Sequence, residues 1–282
     1  MYRSYYELKL RPFSKTPDPA FLYRGRVHGE ALARLELGVE EREIVLLTGE
    51  IGCGKTTLSR TLVDSLGESH RIALIVHPRM SATQLLEQIA ARLGVDPVPR
   101  RKSALVDALT AQLFNLDEAG LTPVVIIDEA QLISAKGVFD ELRLLCNIQL
   151  DDRGLLSLVL IGQPELKKKL ARPAYRAFAE RIGLGFHLDR FDLEETRRYV
   201  AHRVQVAGRQ RALFTEDAVA GIHHAADGVP RRINNIAANC LLQGFGRERD
   251  PVDAEIVREV VQDLAQFLGG IYRTPENVGR EP

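Results

Sequence analysis

Residues Gly49 to Thr56 read G-E-I-G-C-G-K-T, a glycine-rich loop closed by lysine and threonine, and the segments on either side restrict what can surround it. Ile44-Val45-Leu46-Leu47-Thr48 before the loop is an apolar, β-branched strand, and Thr57-Leu58-Ser59-Arg60-Thr61-Leu62-Val63 after it continues as a helix. Strand, glycine loop and helix in that order are the context in which this pattern cradles phosphates. Glycines let consecutive main-chain N–H groups turn inward around an anion, and the helix N-terminus adds its partial positive charge. In that geometry Lys55 reaches the β- and γ-phosphates and the Thr56 hydroxyl ligates magnesium. Gly49, Glu50, Ile51, Gly52, Cys53, Gly54 and Thr57 complete the nucleotide-binding loop.

The rest of the chain reads as the sheet such a loop needs. Ile72–Val76, Val124–Ile127 and Leu155–Ile161 are continuous rather than alternating apolar runs, separated by helical patterns. Strands of that kind belong to a parallel sheet covered on both faces. Ser81 and Gln84 form a capping box ahead of the stripe Leu85, Leu86, Ile89, Leu93, with Gly94 as a stop, and Ser103–Ala119 carries a second stripe. From Phe191 onward only helical periodicity is found. Asp192 with Glu195, Thr215, Pro230 and Asp253 each mark a helix start. The expected fold is therefore an α/β P-loop NTPase with a parallel sheet flanked by helices and a small C-terminal all-helical domain. The expected boundaries are 1–190 for the core, 191–270 for the helical domain, and 271–282 for a flexible tail. Within the core, residues 1–40 open with a proline- and aromatic-rich stretch, Arg11 to Tyr23, too rigid for a helix and expected to pack on the body of the protein.

Bulk properties narrow the function classes. The 282 residues carry 38 basic and 38 acidic side chains, so no global field recruits nucleic acid or an acidic membrane surface. Three widely spaced cysteines, Cys53, Cys146 and Cys240, fit a reducing compartment and give no zinc-ligand spacing. Cys53 reads as a small residue accepted in a tight turn rather than as a redox switch. The N-terminus lacks a secretory apolar run and no segment approaches the ~20 apolar residues of a membrane helix. The expectation is a soluble, cytoplasmic chain without membrane insertion.

Further candidates follow from position along the strands. Asp128 and Glu129 leave the Val124–Ile127 strand at its C-terminal end, the edge of an open α/β sheet where ligands bind. Asp128 is the expected magnesium ligand, and Glu129 is expected to orient and polarise an attacking water. Gln163 follows the strand ending at Ile161-Gly162 and is positioned to hydrogen-bond a γ-phosphate oxygen or that water. Gly228-Val229-Pro230-Arg231-Arg232 opens a helix of the C-terminal domain, and Arg231 is chosen over Arg232 as the phosphate contact. Arg172, Arg176 and Arg181 are candidates for a guanidinium offered to a neighbouring subunit's γ-phosphate. No N-K-x-D string is found, so adenine is favoured over guanine. The basic runs Arg100-Arg101-Lys102 and Lys167-Lys168-Lys169 lack interleaved aromatics and read as solvated surfaces before they read as nucleic-acid sites.

Taken together these residues resemble AAA+ ATPases of the general secretion pathway protein A (ExeA-type) family. The resemblance rests on Tyr5-Tyr6, Pro12-Phe13, Thr16-Pro17-Asp18-Pro19 and Phe21-Leu22; on the loop from Thr48 to Thr57; on Ile127-Asp128-Glu129-Ala130-Gln131 and Gly162-Gln163-Pro164-Glu165-Leu166; and on Arg181-Ile182 and Gly228 to Asn234. It implies a five-stranded core with a helical lid, a nucleotide-dependent oligomer, and ATP with Mg2+ as cofactors. By the same resemblance Lys55 and Thr56 belong to Walker A, Asp128 and Glu129 to Walker B, Gln163 is sensor 1, Arg231 is sensor 2, and Arg176 or Arg181 is the arginine finger. The sequence departs from that pattern in one respect: longer members continue into a membrane span and a cell-wall-binding region, whereas this chain reads as a short form without either, which weighs against a secretion role. The expected function is Mg-dependent ATP hydrolysis that drives or times assembly of a partner complex, with a protein client or membrane-complex partner, as in secretion or envelope systems. The alternative is an ATP-gated DNA-binding scaffold of the transposition-regulator type. A small-molecule kinase fits less well, because an Asp-Glu pair suits water activation better than transfer to a bound acceptor.

Overall fold

The computed structural model describes residues 1–14, 18–268 and 271–272. Thr16 and Pro17 of the proline-rich stretch, and the expected tail from residue 273 onward, lie outside the described residues. The chain divides into two compact units. One comprises Val27–Ile51 and Leu58–Leu188; the other comprises Met1–Arg26, Gly52–Thr57 and the chain from Asp189 onward.

The first unit is built on five parallel strands, β1 (Ile44–Gly49), β2 (His70–Ile75), β3 (Thr122–Ile127), β4 (Ser157–Gly162) and β5 (Ile182–Leu188), in the order β2-β3-β4-β1-β5. β4 is buried along its whole length and β3 along nearly all of it, whereas the edge strands β2 and β5 are only partly covered. That is the burial the continuous apolar runs require. One face of the sheet presents Ala73 and Ile75, Val125 and Ile127, and Leu158 and Leu160, the period-two sets of three neighbouring strands. They share a core with Leu85, Ile89 and Leu93 of a helix at Ala82–Leu93, Leu105, Leu109 and Leu113 of a helix at Lys102–Glu118, and Phe139 and Leu142 of a helix at Lys136–Cys146. Each buried Val, Ile, Leu or Phe among them contributes roughly 1.5–3 kcal/mol.

In chain order the helices are α1 (Tyr2–Tyr5), α2 (Arg26–Glu40), α3 (Lys55–Leu66), α4 (Ala82–Leu93), α5 (Lys102–Glu118), α6 (Lys136–Cys146), α7 (Pro164–Leu170), α8 (Arg176–Ala179), α9 (Leu193–Val206), α10 (Glu216–Ala226), α11 (Pro230–Gly246) and α12 (Ala254–Leu268). Their ends follow the capping chemistry. Ser81 and Gln84 exchange hydrogen bonds at the start of α4, and Gly94 closes it with φ 98°. Asp192 caps α9 through the Glu195 N–H at 2.7 Å, and Thr215 caps α10 through the Ala218 N–H at 3.2 Å. The expected stop at Gly228 comes slightly earlier, because Asp227 takes the left-handed conformation first, at φ 53°, and Gly228 follows at φ 67°.

The second unit holds α9 to α12 around their own core, and the N-terminal aromatic residues belong to it. Tyr6, Leu8, Phe13 and Phe21 are buried in one cluster with Tyr199, Val204, Ile222, Ile233, Ile236 and Val257. Polar ties reinforce the grouping: Lys9 N–H donates to the Ala207 carbonyl at 2.8 Å, and the Tyr6 hydroxyl donates to the Arg249 carbonyl at 3.1 Å. The Arg203 guanidinium donates to the Pro12 carbonyl and lies 4.8 Å over the Phe21 ring. Residues 1–26 therefore group with the C-terminal helices, where the division read from the sequence assigns them to the α/β core. The reason is that their aromatic rings complete the helical core.

Candidate nucleotide-binding site

β1 delivers the chain to the glycine loop at the carboxyl edge of the sheet. Gly49 is dictated by the neighbouring strand, since a Cβ there would lie 2.8 Å from the Leu188 carbonyl oxygen. The preceding Thr48 hydroxyl is 2.9 Å from His187 Nδ1 on β5, which pins the strand end from the same side. Gly52 and Gly54 have φ of 90° and 102°, values that side chains rarely adopt. At Gly52 a Cβ would also meet Arg231 Cβ at 2.9 Å and Val229 Cγ1 at 3.1 Å. Cys53 and Lys55 are buried, Thr56 and Thr57 are half-buried, and Ile51 is exposed.

The acids stand where the strand pattern puts them. Asp128 is buried and continues the β2–β3 ladder, its N–H donating to the Ile75 carbonyl at 2.9 Å. Its Oδ1 accepts the Glu129 N–H at 2.8 Å. Glu129 adopts φ 54°, an uncommon conformation for this residue type that costs of order 1–3 kcal/mol unless its surroundings fix it. Its carboxylate is indeed held: Gln163 Nε2 donates to Glu129 Oε2 at 3.3 Å, and Gln131 Nε2 donates to the same oxygen. Glu129 and Gln163 are thus brought together across the adjacent strand ends of β3 and β4. The sequence reading assigns no site role to Gln131 or Lys169. Lys169 Nζ donates to the Gln131 and Ile133 carbonyls at 2.7 and 2.6 Å, and burial holds its pKa below the usual ammonium range. The available signal is the amide two residues beyond the acid in Asp128-Glu129-Ala130-Gln131.

Arg231 occupies the second position of α11, behind Val229 as cap and Pro230. Its N–H, one of the donors that a helix start leaves without an intrahelical partner, donates to the Gly52 carbonyl at 3.1 Å. Its side chain is exposed, while Arg232 is half-buried. The approach to α11 is shaped by Gly228, where a Cβ would lie 2.1 Å from the Phe191 carbonyl oxygen. Asp227 beside it pairs with Arg190. Among the finger candidates, Arg172, Arg176 and Arg181 are all exposed. Arg176 pairs with Glu180 at 2.7 Å, and Arg181 donates to the Cys146 carbonyl at 3.3 Å. The basic runs are partly consumed internally, since Lys102 pairs with Glu141 at 2.6 Å and Lys169 is bound as above.

Residues 39–170 match an AAA domain family. Over 252 residues, 88% of the chain, the sequence is 40% identical to general secretion pathway protein A of Aeromonas hydrophila. Over that length the chain is similar to the general secretion pathway protein A family. The resemblance carried by the loop, the acid pair and the G-Q-P-E-L string is thereby borne out. The chain spans 45% of the length of that relative. Solved structures share the fold at low identity. The Aeropyrum pernix ORC2 protein matches with a TM-score of 0.64 and 21% identity, over 90% of this chain and 71% of its own. The Thermotoga maritima RuvB Holliday junction branch migration motor matches with a TM-score of 0.58 and 19% identity, over 90% of this chain and 74% of its own. The chain is thus built on a parallel five-stranded sheet of the AAA fold with a helical C-terminal region, consistent with nucleotide binding. Among the described residues no helix is long and apolar enough to cross a membrane.

Proposed function

We propose that the chain binds ATP with Mg2+ at the loop Gly49–Thr57 and hydrolyses it. The observation that carries this reading is the alignment of three adjacent strand ends: β3 ends in Asp128-Glu129, β4 leads into Gln163, and β1 leads into the glycine loop. Ligands of open α/β sheets bind outside such carboxyl ends. Lys55 and the loop N–H groups hold the phosphates. The donor set of one carboxylate, Asp128, and one hydroxyl, Thr56, suits a magnesium ion, which prefers oxygen ligands, few carboxylates and substrate phosphates. Water attacks the γ-phosphorus, the bond to the bridging oxygen of ADP breaks, and Glu129 takes the water proton. Gln163 orients the water or a γ-phosphate oxygen, and Arg231 contacts the phosphates. Arg176 or Arg181 serves a neighbouring copy in a nucleotide-dependent oligomer. Hydrolysis drives or times assembly of a partner complex, in a secretion or envelope system or a similar one. Steady-state phosphate release tests the core of the reading: Glu129→Gln retains ATP binding and loses turnover, and unchanged turnover would overturn it. Sedimentation with and without a non-hydrolysable ATP analogue tests the oligomer, and adding duplex DNA tests the scaffold alternative.

A further inference from the structure

Glu129 is held by two amides, and one of them has no assigned part in the reaction. Gln131 uses both ends of its side chain: Nε2 donates to Glu129 Oε2, and Oε1 accepts the Gln163 N–H at 3.1 Å. A carboxylate only accepts and a main-chain N–H only donates, so the Gln131 amide can serve both partners in one orientation alone. Gln163 Nε2 reaches the same Glu129 oxygen at 3.3 Å. Among the described residues both side-chain donors to Glu129 therefore fall on Oε2, so Oε1 is the oxygen able to take a proton from water. The main chain of Gln131 is fixed in turn, because its carbonyl accepts from Lys169 Nζ of α7 at 2.7 Å. The packing is close: a Cβ at Gly162 would lie 2.9 Å from Gln131 Oε1 and 2.8 Å from Leu166 Cδ2.

We propose that Gln131 is a positioning residue for hydrolysis, resting on the reading of Glu129 as the base: it clamps Glu129 Oε2 and links that carboxylate to Gln163 and α7. Glu129 is a flexible side chain with an acid's two equivalent oxygens, and a base must present one lone pair to one water in a fixed direction. The amide bridge selects the oxygen and the direction. It also makes Gln163 and Glu129 a single unit, since the Gln163 main chain and side chain are both attached to the Glu129–Gln131 pair.

The test uses the full chain and four variants, Glu129→Gln, Gln131→Ala, Gln131→Met and Gln131→Glu. Turnover, affinity for a fluorescent ATP analogue with Mg2+ and thermal midpoint are measured for each. Gln131→Ala and Gln131→Met lower kcat by roughly 10–100-fold, the scale of a misplaced reacting group, with affinity within about threefold and the thermal midpoint unchanged. Gln131→Glu keeps the length and the acceptor for the Gln163 N–H but sets a second carboxylate against Glu129. With the Gln163 bond kept and the donor to Glu129 removed, kcat falls on the same scale as in the Ala and Met variants. A merely structural role would lower the thermal midpoint and weaken binding along with kcat. Wild-type kcat in the Ala and Met variants, or losses that track weakened binding and a lowered thermal midpoint in both, overturns the proposal. If Glu129→Gln is inactive while the Gln131 variants are normal, this inference alone falls; if Glu129→Gln turns over normally, the reading beneath it falls as well.

Discussion

The main-chain N–H of Arg231 donates to the carbonyl oxygen of Gly52 at 3.1 Å, so the start of α11 is bonded to the glycine loop. The bond satisfies a donor that every helix start leaves open, and it commits that donor to the loop rather than to a capping side chain. It also makes the position of the Arg231 backbone depend on the conformation of Gly52. A phosphate group seated in the loop and the arginine proposed to contact it are thereby set by one local geometry.

Gly52→Ala tests that dependence. The residue sits at φ 90°, and the added methyl would meet Arg231 Cβ at 2.9 Å and Val229 Cγ1 at 3.1 Å. The strained conformation alone costs about 1–3 kcal/mol, and relief requires moving the start of α11 or the loop. We expect nucleotide affinity to fall by roughly tenfold or more, since about 1.4 kcal/mol is a factor of ten. Titration of a fluorescent ATP analogue, with circular dichroism to verify the fold, measures it. Affinity equal to wild type would show that the bond does not govern the loop.

Gly228→Ala and Gly137→Ala form a contrasting pair. At Gly228 the φ is 67° and a Cβ would lie 2.1 Å from the Phe191 carbonyl oxygen, a backbone atom that cannot rotate away. Strain and overpacking together predict a loss of about 3 kcal/mol in urea unfolding. Gly137 lies in α6, where an added methyl would point into open space, so alanine there is expected to add roughly 0.5–1 kcal/mol. Equal effects at both sites would contradict this difference in packing.

Much of this arrangement is legible in the sequence. Val124–Ile127 announces a buried parallel strand because four consecutive Val/Ile residues suit a surface covered on both faces, and the acids after it then fall at the ligand edge. Ser81 and Gln84 announce a helix start because their side chains are chemically reciprocal. What cannot be read depends on distant parts of the chain. Tyr6, Phe13 and Phe21 lie far ahead, in sequence, of the C-terminal helices whose core they complete, and no periodicity links them. The place of Gln131 is only faintly signalled, for a related reason. A glutamine after an acid is ordinary as a string, and its meaning comes from Gln163, 32 residues later, meeting its side chain.

Asp117, at the end of α5, joins three segments of the α/β unit, and acid is expected to weaken the fold there. Arg42 Nη1 reaches Asp117 Oδ1 at 2.6 Å and the Gly154 carbonyl at 3.1 Å, and Arg153 Nη2 reaches Asp117 Oδ2 at 2.9 Å. Asp117 and Arg42 are well covered, with side chains 9% and 14% exposed, whereas Arg153 is 46% exposed and its share is correspondingly screened. The hydrogen bond from Arg42, followed by that from Arg153, outweighs burial and holds the Asp117 carboxyl below its ordinary value of 3.8. A depressed carboxyl in the folded state means that the unfolded chain binds the proton first, so the contribution is complete above about pH 4 and is lost as pH falls through the folded-state value. Asp117→Ala leaves the half-buried Arg42 guanidinium only the Gly154 carbonyl as acceptor, a loss of roughly 1–3 kcal/mol. Asp117→Asn keeps an acceptor for Arg42 but removes the titrating group, so its stability is lower than wild type at pH 7 and falls less steeply below pH 4. Urea midpoints at pH 7, 4.5 and 3 decide the matter. Parallel decline of the wild-type and Asn proteins across that range would mean that other carboxylates, not Asp117, set the acid limit of the fold.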